Sequence, residues 1–249
     1  MKTLLTRIYQ GSRILFYTGM IHFVLIFCFL VLLGFDPREV NHENVWLKPL
    51  RFAISIWLFT WTFAWFSSYV EIRRRIFNNL NHIIAACMLI EITLITFQAG
   101  RGVASHFNVQ TAFDAKVFSV MGAVIGFNAA IVGIWFILFA FWGNGGKSYR
   151  TSIIWGVVIF LLGNFSGYLI IRYGWPTDML TSQSKMPLTG WKLTMKDLKI
   201  SHALGLHAIQ ILPLIQWFIN RFKLNSKLIH VMGIVYLVLY FSTLLIVFI

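Results

Sequence analysis

The chain has 249 residues, of which 58% are hydrophobic and only 12% are charged. A soluble domain carries roughly 25% charged residues because its surface faces water, so this composition excludes a soluble domain. The net charge of +13 comes from short basic clusters between long apolar blocks, an arrangement that suits lipid headgroups and topology signals. We therefore expect the lipid bilayer to be the partner of the chain, and no nucleic acid.

Seven apolar segments predict an all-α integral membrane protein, a bundle of about seven transmembrane helices that occupies residues 1–249 as one domain. Each segment is close to the roughly 20 residues that a helix needs to cross a bilayer. Their pattern does not suit a membrane barrel, whose strands alternate in polarity over about ten residues. The predicted spans are 14–34, 52–70, 82–99, 117–142, 152–171, 201–220 and 229–249.

Several residues predict where helices begin or bend. Pro49 suits the first turn of a helix, where its missing N–H costs nothing. Thr111 and Asp114 have the spacing of a capping box, and Ser201 is a candidate N-cap. Pro213 falls inside the span 201–220 and is expected to kink it or to loosen its hydrogen bonding.

The orientation follows from the lysines and arginines of the links. The two sides carry nearly equal numbers, but the N-terminal side has the shorter and denser links, including the run Arg73-Arg74-Arg75. This bias predicts that the N-terminus lies inside and the C-terminus outside. The long link 172–200 then lies outside, where it forms a lid or rests on lipid headgroups.

Ionisable residues within a span are costly and mark functional sites by default. Glu91 lies in the middle of the span 82–99, and Gln98 follows two turns later on the same face. Glycines flank Arg101 just beyond the span and allow a tight backbone there. His106 and Asn108 come next, and we expect them to fold back over the helix end.

A second polar cluster lies in the span 201–220, with His202, His207 and Gln210. At 1.5 Å per residue, Glu91, His207 and Gln210 lie about 12, 9 and 14 Å below the outer ends of their spans. They would share one layer if the two spans were neighbours. The rim above that layer would be basic and rich in histidine, with Lys48, Arg51, Arg101, His106 and His202.

Other polar residues in the spans have simpler interpretations. Asn128 and Asn164 fall at comparable depths, but polar side chains between helices more often serve as packing contacts. His22 lies deeper, about 18 Å from the outer face, and is expected to be a hydrogen-bonded core residue.

A metal- or haem-dependent membrane enzyme or redox protein is the first function compatible with this outward-opening pocket. Glu91, His207 and Gln210 are the catalytic candidates. A zinc ion would take His106, His202 and His207 as ligands and keep an open position for water. A haem would take His207 or His202 as its axial ligand. Its other contacts would come from Arg51, Arg101, Lys48 and Gln98.

Two further functions stay open. In a transporter or a ligand-binding sensor, Glu91 would be a protonatable relay or a substrate contact, and the basic rim would attract a small molecule, a lipid headgroup or an anion. In a scaffold subunit of a membrane complex, the polar layer would only hold the helices together.

Three segments resemble stretches of uncharacterised bacterial polytopic membrane proteins: 46–49, 98–108 and 187–213. The resemblance extends over most of the chain. It implies a multi-pass protein of the bacterial inner membrane, and it implies no activity.

Overall fold

The computed structural model describes residues 4–144, 146–174 and 198–246. These residues are helical apart from one short hairpin and the connecting turns, which confirms the all-α class. The helices are α1 (Leu4–Gly11), α2 (Arg13–Phe35), α3 (Leu47–Ser67), α4 (Arg74–Gly100), α5 (Ala112–Trp142), α6 (Gly146–Leu169), α7 (Leu198–Arg221) and α8 (Leu228–Ile246). The hairpin joins β1 (Glu39–Val40) to β2 (Glu43–Asn44), and a π-helical turn, Ile170–Gly174, follows α6. Most of the link 172–200 lies outside the described residues.

Six helices are long and apolar enough to cross a membrane: α2, α4, α5, α6 with its π-helical turn, α7 and α8. The chain is therefore a multi-pass membrane protein. The remaining long helix, α3, has 21 residues but is not among these six. Its tryptophans, threonines and two basic residues lower its hydropathy.

Two helices in the first half of the chain have ends that differ from those of the predicted spans. The span 52–70 is displaced, because the helix begins at Leu47, with the Leu50 N–H donating to the Trp46 carbonyl at 3.0 Å, and ends at Ser67. The span 82–99 lies within α4, which begins earlier, at Arg74, and carries polar residues through its first two turns. Hydropathy marks the apolar part of a helix, and both helices extend beyond it.

The local signals are confirmed in part. Pro49 is the third residue of α3, as expected, and Pro213 lies inside α7. The Thr111 hydroxyl accepts from the Asp114 N–H at 3.1 Å, which confirms the cap of α5. Ser201 is not an N-cap, because α7 begins at Leu198 and the serine hydroxyl donates back to the Leu198 carbonyl at 3.0 Å.

The chain divides into two compact units, Met1–Trp135 and Phe136–Ile249. In the first unit, α3 packs along α2, with stacked aromatic pairs Phe16–Trp61 and Phe29–Trp46 at the two ends of the contact.

The opposite face of α3 and the start of α4 surround Trp135, the last residue of the first unit. The Trp135 ring lies 5.1 Å from the ring of Phe63 and 5.4 Å from that of Phe77. A second contact between α4 and α5 is formed by Ile95, Val117 and Met121. The helices α2 to α5 therefore enclose one interior.

In the second unit, α6 and α7 make the most extensive contact. Glycines allow their close approach, since a Cβ added at Gly163 would lie 2.7 Å from the Cα of Gly205. From α8, the Tyr236 hydroxyl donates to the Leu204 carbonyl at 2.8 Å and the Tyr240 hydroxyl to the Leu162 carbonyl at 2.7 Å.

Candidate functional site

A hydrogen-bonded cap follows α2 in the first unit. Asp36 accepts from the Arg38 guanidinium through both carboxylate oxygens, with a shortest distance of 2.7 Å, and from the Trp46 indole N–H at 2.8 Å. The Arg38 and Trp46 donors hold the pKa of Asp36 well below its ordinary value. The carboxylate thereby orders the chain between α2 and α3.

The hairpin within this cap turns tightly at Asn41 and His42, which both have positive φ, as a two-residue turn requires. From this segment, Arg38 also donates to the Gly100 carbonyl at 3.0 Å, and Glu43 pairs with Arg51 of α3 at 2.8 Å. The hairpin is therefore tied to the end of α4 and to the start of α3.

A second charged network joins the end of α4 to the start of α5. Arg101 donates to Asp114 at 2.6 Å and to Gln98 at 2.5 Å, while the Gln98 amide donates to Asp114 at 3.0 Å. The Thr111 hydroxyl donates to the second Asp114 oxygen at 2.6 Å. Rings of Phe97 and Phe113 flank the guanidinium. This network satisfies its own polar groups where α4 ends and α5 begins.

Glu91 lies beneath these two networks on the inward face of α4. Its side chain is 1% exposed, and neither carboxylate oxygen has a hydrogen-bond partner among the described residues. The Nε2 of His106 lies 3.7 Å from Oε1 of Glu91. That distance is longer than a hydrogen bond. A buried carboxyl without a hydrogen bond is expensive, so this residue is the strongest candidate for function in the first unit.

His106 reaches Glu91 from the loop between α4 and α5, which confirms that this residue folds back over the helix end. Gly102 and Phe107 have positive φ on either side of it and let the loop turn inward. The His106 Nδ1 lies 3.1 Å from the Ser105 hydroxyl, and the imidazole packs against the ring of Phe52.

The imidazole of His106 is neutral under ordinary conditions. Burial, and secondly the positive charge of Lys48, hold the pKa of His106 well below its ordinary value. Lys48 also interacts electrostatically with Glu91. The side chain of His106 is nevertheless 23% exposed, so part of it reaches the surface of the unit.

The second unit holds the other predicted histidines. His202 is held by its Nδ1, 2.8 Å from the Gly163 carbonyl of α6, and its ring lies against Gly167. His207 interacts electrostatically with His202. The helix is regular between them, so the two imidazoles point about 140° apart. The Gln210 side-chain oxygen is buried without a hydrogen-bond partner within the described part of the chain.

The structure thus brings together only part of the predicted set. Glu91, His106 and Lys48 meet in the first unit. Arg51 and Arg101 are there too, each paired with a carboxylate. His202, His207 and Gln210 belong to the second unit, so a shared site with Glu91 stays a prediction. Over residues 4–144, 146–174 and 198–246, no three His, Cys, Asp or Glu side chains are grouped closely enough to hold a metal ion. The zinc and haem interpretations also stay predictions.

No family model, curated protein or solved structure matches this chain.

Sequence reasoning missed the roles of Asp36 and Glu43, which order the hairpin, and treated Asp114 only as a helix cap. A signal was present, because the chain has only 8 acidic residues against 21 lysines and arginines. Where acids are so scarce, one that lies near a helix end is expected to pair with a base. The two-residue hairpin turn at Asn41 also has a sequence signal, since asparagine tolerates positive φ.

Proposed function

We propose that this chain is a membrane transporter that carries a proton through the Glu91–His106 pair. One observation supports this proposal above all. The Glu91 carboxyl is fully enclosed and has no hydrogen bond among the described residues, and it lies beside a neutral imidazole that is partly exposed. Carboxyl and histidine groups within a membrane form the proton relays of pumps and transporters. Glu91 would hold the proton, and His106 would connect it to water.

The imidazole suits this role because its two nitrogens face different surroundings. A proton taken up at Nδ1, beside Ser105, yields the imidazolium, which releases its other proton from Nε2 to Oε1 of Glu91. The imidazole is then neutral again and the carboxyl is protonated. The gap of 3.7 Å requires a small side-chain rotation or one bridging water.

Proton flux in reconstituted vesicles tests the proposal. Vesicles that contain the protein and a pH-sensitive dye would be given a potassium diffusion potential with valinomycin. We expect rapid internal pH change with the natural chain. With Glu91→Gln, the flux should fall by roughly a hundredfold, the lower range for loss of a proton-transfer group.

Two matched variants control this experiment. Glu39→Gln removes an exposed glutamate of the hairpin, and His82→Asn removes an exposed histidine of α4; both should leave the flux unchanged, while His106→Asn should slow it. Natural protein no faster than empty vesicles, or Glu91→Gln as fast as the natural chain, would overturn the proposal.

A redox protein is the second candidate, and the geometry of His202 favours it. Metal-binding histidines usually donate their other ring N–H to a backbone carbonyl or a carboxylate, and the Nδ1 of His202 is placed to donate to Gly163. The Nε2 would then be the axial ligand of a haem. A Soret band in the purified protein that is lost in His202→Ala, but kept in His230→Ala, would support this function. No Soret band in protein expressed with haem supplied would refute it.

We also propose that α3 is a seventh crossing, with the N-terminus inside and the C-terminus outside in a bacterial inner membrane. Its 21 residues extend for about 31 Å, close to the bilayer core, and it packs along the apolar α2. In a chain without native cysteines, single cysteines at His42 and Glu71 should react with an impermeant maleimide from opposite sides. Labelling of both from one side would refute the crossing.

A further inference from the structure

Polar side chains without a full set of partners recur in the first unit below Glu91. His22 of α2 is 0% exposed, and its Nε2 has no hydrogen-bond partner in the ranges that the structure covers. Asn81 of α4 is also 0% exposed, and its side-chain oxygen likewise has no hydrogen-bond partner among the described residues. Such groups are rare in proteins and call for an explanation.

His22 and Asn81 lie at successive levels along α4. His22 faces the backbone of Met88, which precedes Glu91 by three residues, or about 4.5 Å of helix. Asn81 precedes Met88 by seven residues, or about 10 Å. Its amide donates to the Ser67 hydroxyl at 3.0 Å, at the end of α3. His22 and Asn81 therefore lie progressively farther from Glu91, toward the end of the first unit where Ser67 ends α3.

Asn128 of α5 lies at a level along α4 between those of His22 and Asn81. Residues seven apart share one face of a helix, and Asp114, Met121 and Trp135 share this stripe with Asn128. All three of those contact α4, at Gln98, Ile95 and Phe77. Asn128 is 6% exposed, with a side-chain oxygen that lacks a partner in the described part of the unit.

The level of Asn128 follows from the two ends of that stripe. Asp114 is opposite Gln98 and Trp135 is opposite Phe77; because α5 runs antiparallel to α4, Asn128 is opposite residue 84. That position is about 6 Å of helix below Met88 and about 4.5 Å above Asn81. Measured along the axis of α4, the successive levels from Glu91 to Asn81 are therefore about 4.5–6 Å apart.

We propose that His22, Asn128 and Asn81 continue the path of the proton from Glu91 to the Ser67 end of the first unit. This inference rests on the proposed function, and extends it from a site that holds a proton to a route across the membrane. The asparagine amides do not titrate, and their role is to order water. His22 is the group that transfers.

The transfer at His22 uses only one nitrogen. Its Nδ1 lies 2.7 Å from the Thr18 carbonyl and donates to it. Its Nε2 lone pair accepts the proton of the Glu91 carboxyl, which leaves a carboxylate and an imidazolium. The imidazolium then releases the Nε2 proton to water at the level of Asn128, and the neutral ring is restored. The Nδ1 proton does not move.

Charged groups lie at both ends of this path. At its lower end, Arg74 begins α4 and donates to the Gln10 carbonyl. Further charged groups lie at its upper end. Lys48 of α3 and His106 of the loop interact with Glu91. Higher up, Arg51 pairs with Glu43, and Arg101 pairs with Asp114.

Packing contacts are the alternative explanation for these residues. An interhelical hydrogen bond in a membrane contributes little to stability, whereas a buried polar group without a partner costs several times as much. A packing role accounts for the Asn81–Ser67 bond, but it leaves the oxygen of Asn128 without a partner among the described residues, and it places the Nε2 of His22 only against the backbone of Met88. Transfer of a proton through ordered water accounts for both.

The test compares His22→Leu with Glu91→Gln in the vesicle assay. We expect His22→Leu to reduce proton flux by at least about tenfold, since it removes a proton-transfer group. Glu91 should still gain its proton from the His106 side, seen as an infrared carboxyl C=O band that is absent in Glu91→Gln. His82→Leu, on the exposed face of α4, is the control and should leave both readouts unchanged.

Asn128→Leu, a substitution of similar volume, provides a second variant if His22→Leu fails to fold, and should also slow the flux. Full flux in either folded variant, with flux lost in Glu91→Gln, would overturn the path and leave the proposed function standing. Full flux in Glu91→Gln would overturn the proposed function, and the path with it.

Discussion

The interiors of the two units differ in their chemistry. In the first unit, acids meet bases at the hairpin end, and a carboxyl, an imidazole and two amides lie inside with unused hydrogen-bonding capacity. The second unit has no acidic residue among its described residues. Its tyrosines and His202 bond to the carbonyls of neighbouring helices. Its side-chain oxygens without a partner among the described residues include those of Gln210 and Gln216, and these amides do not titrate.

The second unit therefore illustrates contacts that only pack helices together, and the first unit contains groups that can also gain or lose a proton. Backbone carbonyls and glycine contacts hold helices at a fixed distance and do not change charge. A buried carboxyl beside an imidazole changes charge when a proton arrives. We therefore expect substitutions in the second unit to alter stability, and those around Glu91 to alter proton movement.

The largest effect on stability is expected from Gly163→Ala in the second unit. The added methyl group would meet the backbone of Gly205 at 2.7 Å, and backbone cannot move aside as a side chain can. We expect a loss of about 3 kcal/mol, the upper part of the range for overpacking, measured by unfolding in detergent. Gly133→Ala, which meets nothing within 4 Å, should change stability by less than about 1 kcal/mol. Equal losses of stability in Gly163→Ala and Gly133→Ala would show that the close contact between α6 and α7 is not what stabilises the second unit.

A smaller effect is expected from Gln98→Leu in the first unit. It removes a buried amide from the network of Arg101 and Asp114, which still keep each other as partners. The expected loss is about 1–2 kcal/mol, measured by the same unfolding transition. Thr93→Val, which removes only an exposed bond to the Leu89 carbonyl of its own helix, is the control. A loss as large as that of Gly163→Ala would mean that charged networks also dominate stability.

The smallest effect is expected at Asp36, and it depends on pH. Arg38 and Trp46 hold the pKa of Asp36 below its ordinary value. Its stabilising contribution is therefore complete above the unfolded value of about 4, and is lost as pH falls through the lower folded value.

Hydrogen exchange of the hairpin measures this contribution. Above pH 4, Asp36→Asn should exchange faster than the natural chain, for instance at the Val45 N–H, which donates to the Arg38 carbonyl. The two chains should converge in strong acid. Glu39→Gln should follow the natural chain throughout. A constant difference between Asp36→Asn and the natural chain at every pH would show that the charge of Asp36 is not responsible.

The helices could be predicted from the sequence because apolar blocks are required wherever a helix meets lipid. Their ends could not, since the first turns of α3 and α4 contain basic and amide residues that hydropathy assigns to links. The amphipathic α1 was also missed, because it is too short to span. Length and hydropathy together recognise the middle of a helix far better than its ends.

The site was predictable one residue at a time but not as a set. Glu91 and His106 stand out because an acid within a span and a histidine after a glycine turn are each unusual. Their pairing depends on positive φ at Gly102 and Phe107, of which only the glycine is evident from residue type. The prediction of His22 as a hydrogen-bonded core residue is confirmed, since the residue is 0% exposed and its Nδ1 lies 2.7 Å from the Thr18 carbonyl. Depth alone could not anticipate the surroundings of its second ring nitrogen.

The bond from Arg38 to Gly100 has a consequence for biogenesis, because the two residues are separated by 62 positions in the chain. During synthesis the hairpin emerges long before the helix end to which it is tied, and the loop that carries His106 emerges later still. Glu91 therefore leaves the ribosome fifteen residues ahead of His106, and the pair forms only after the loop has followed.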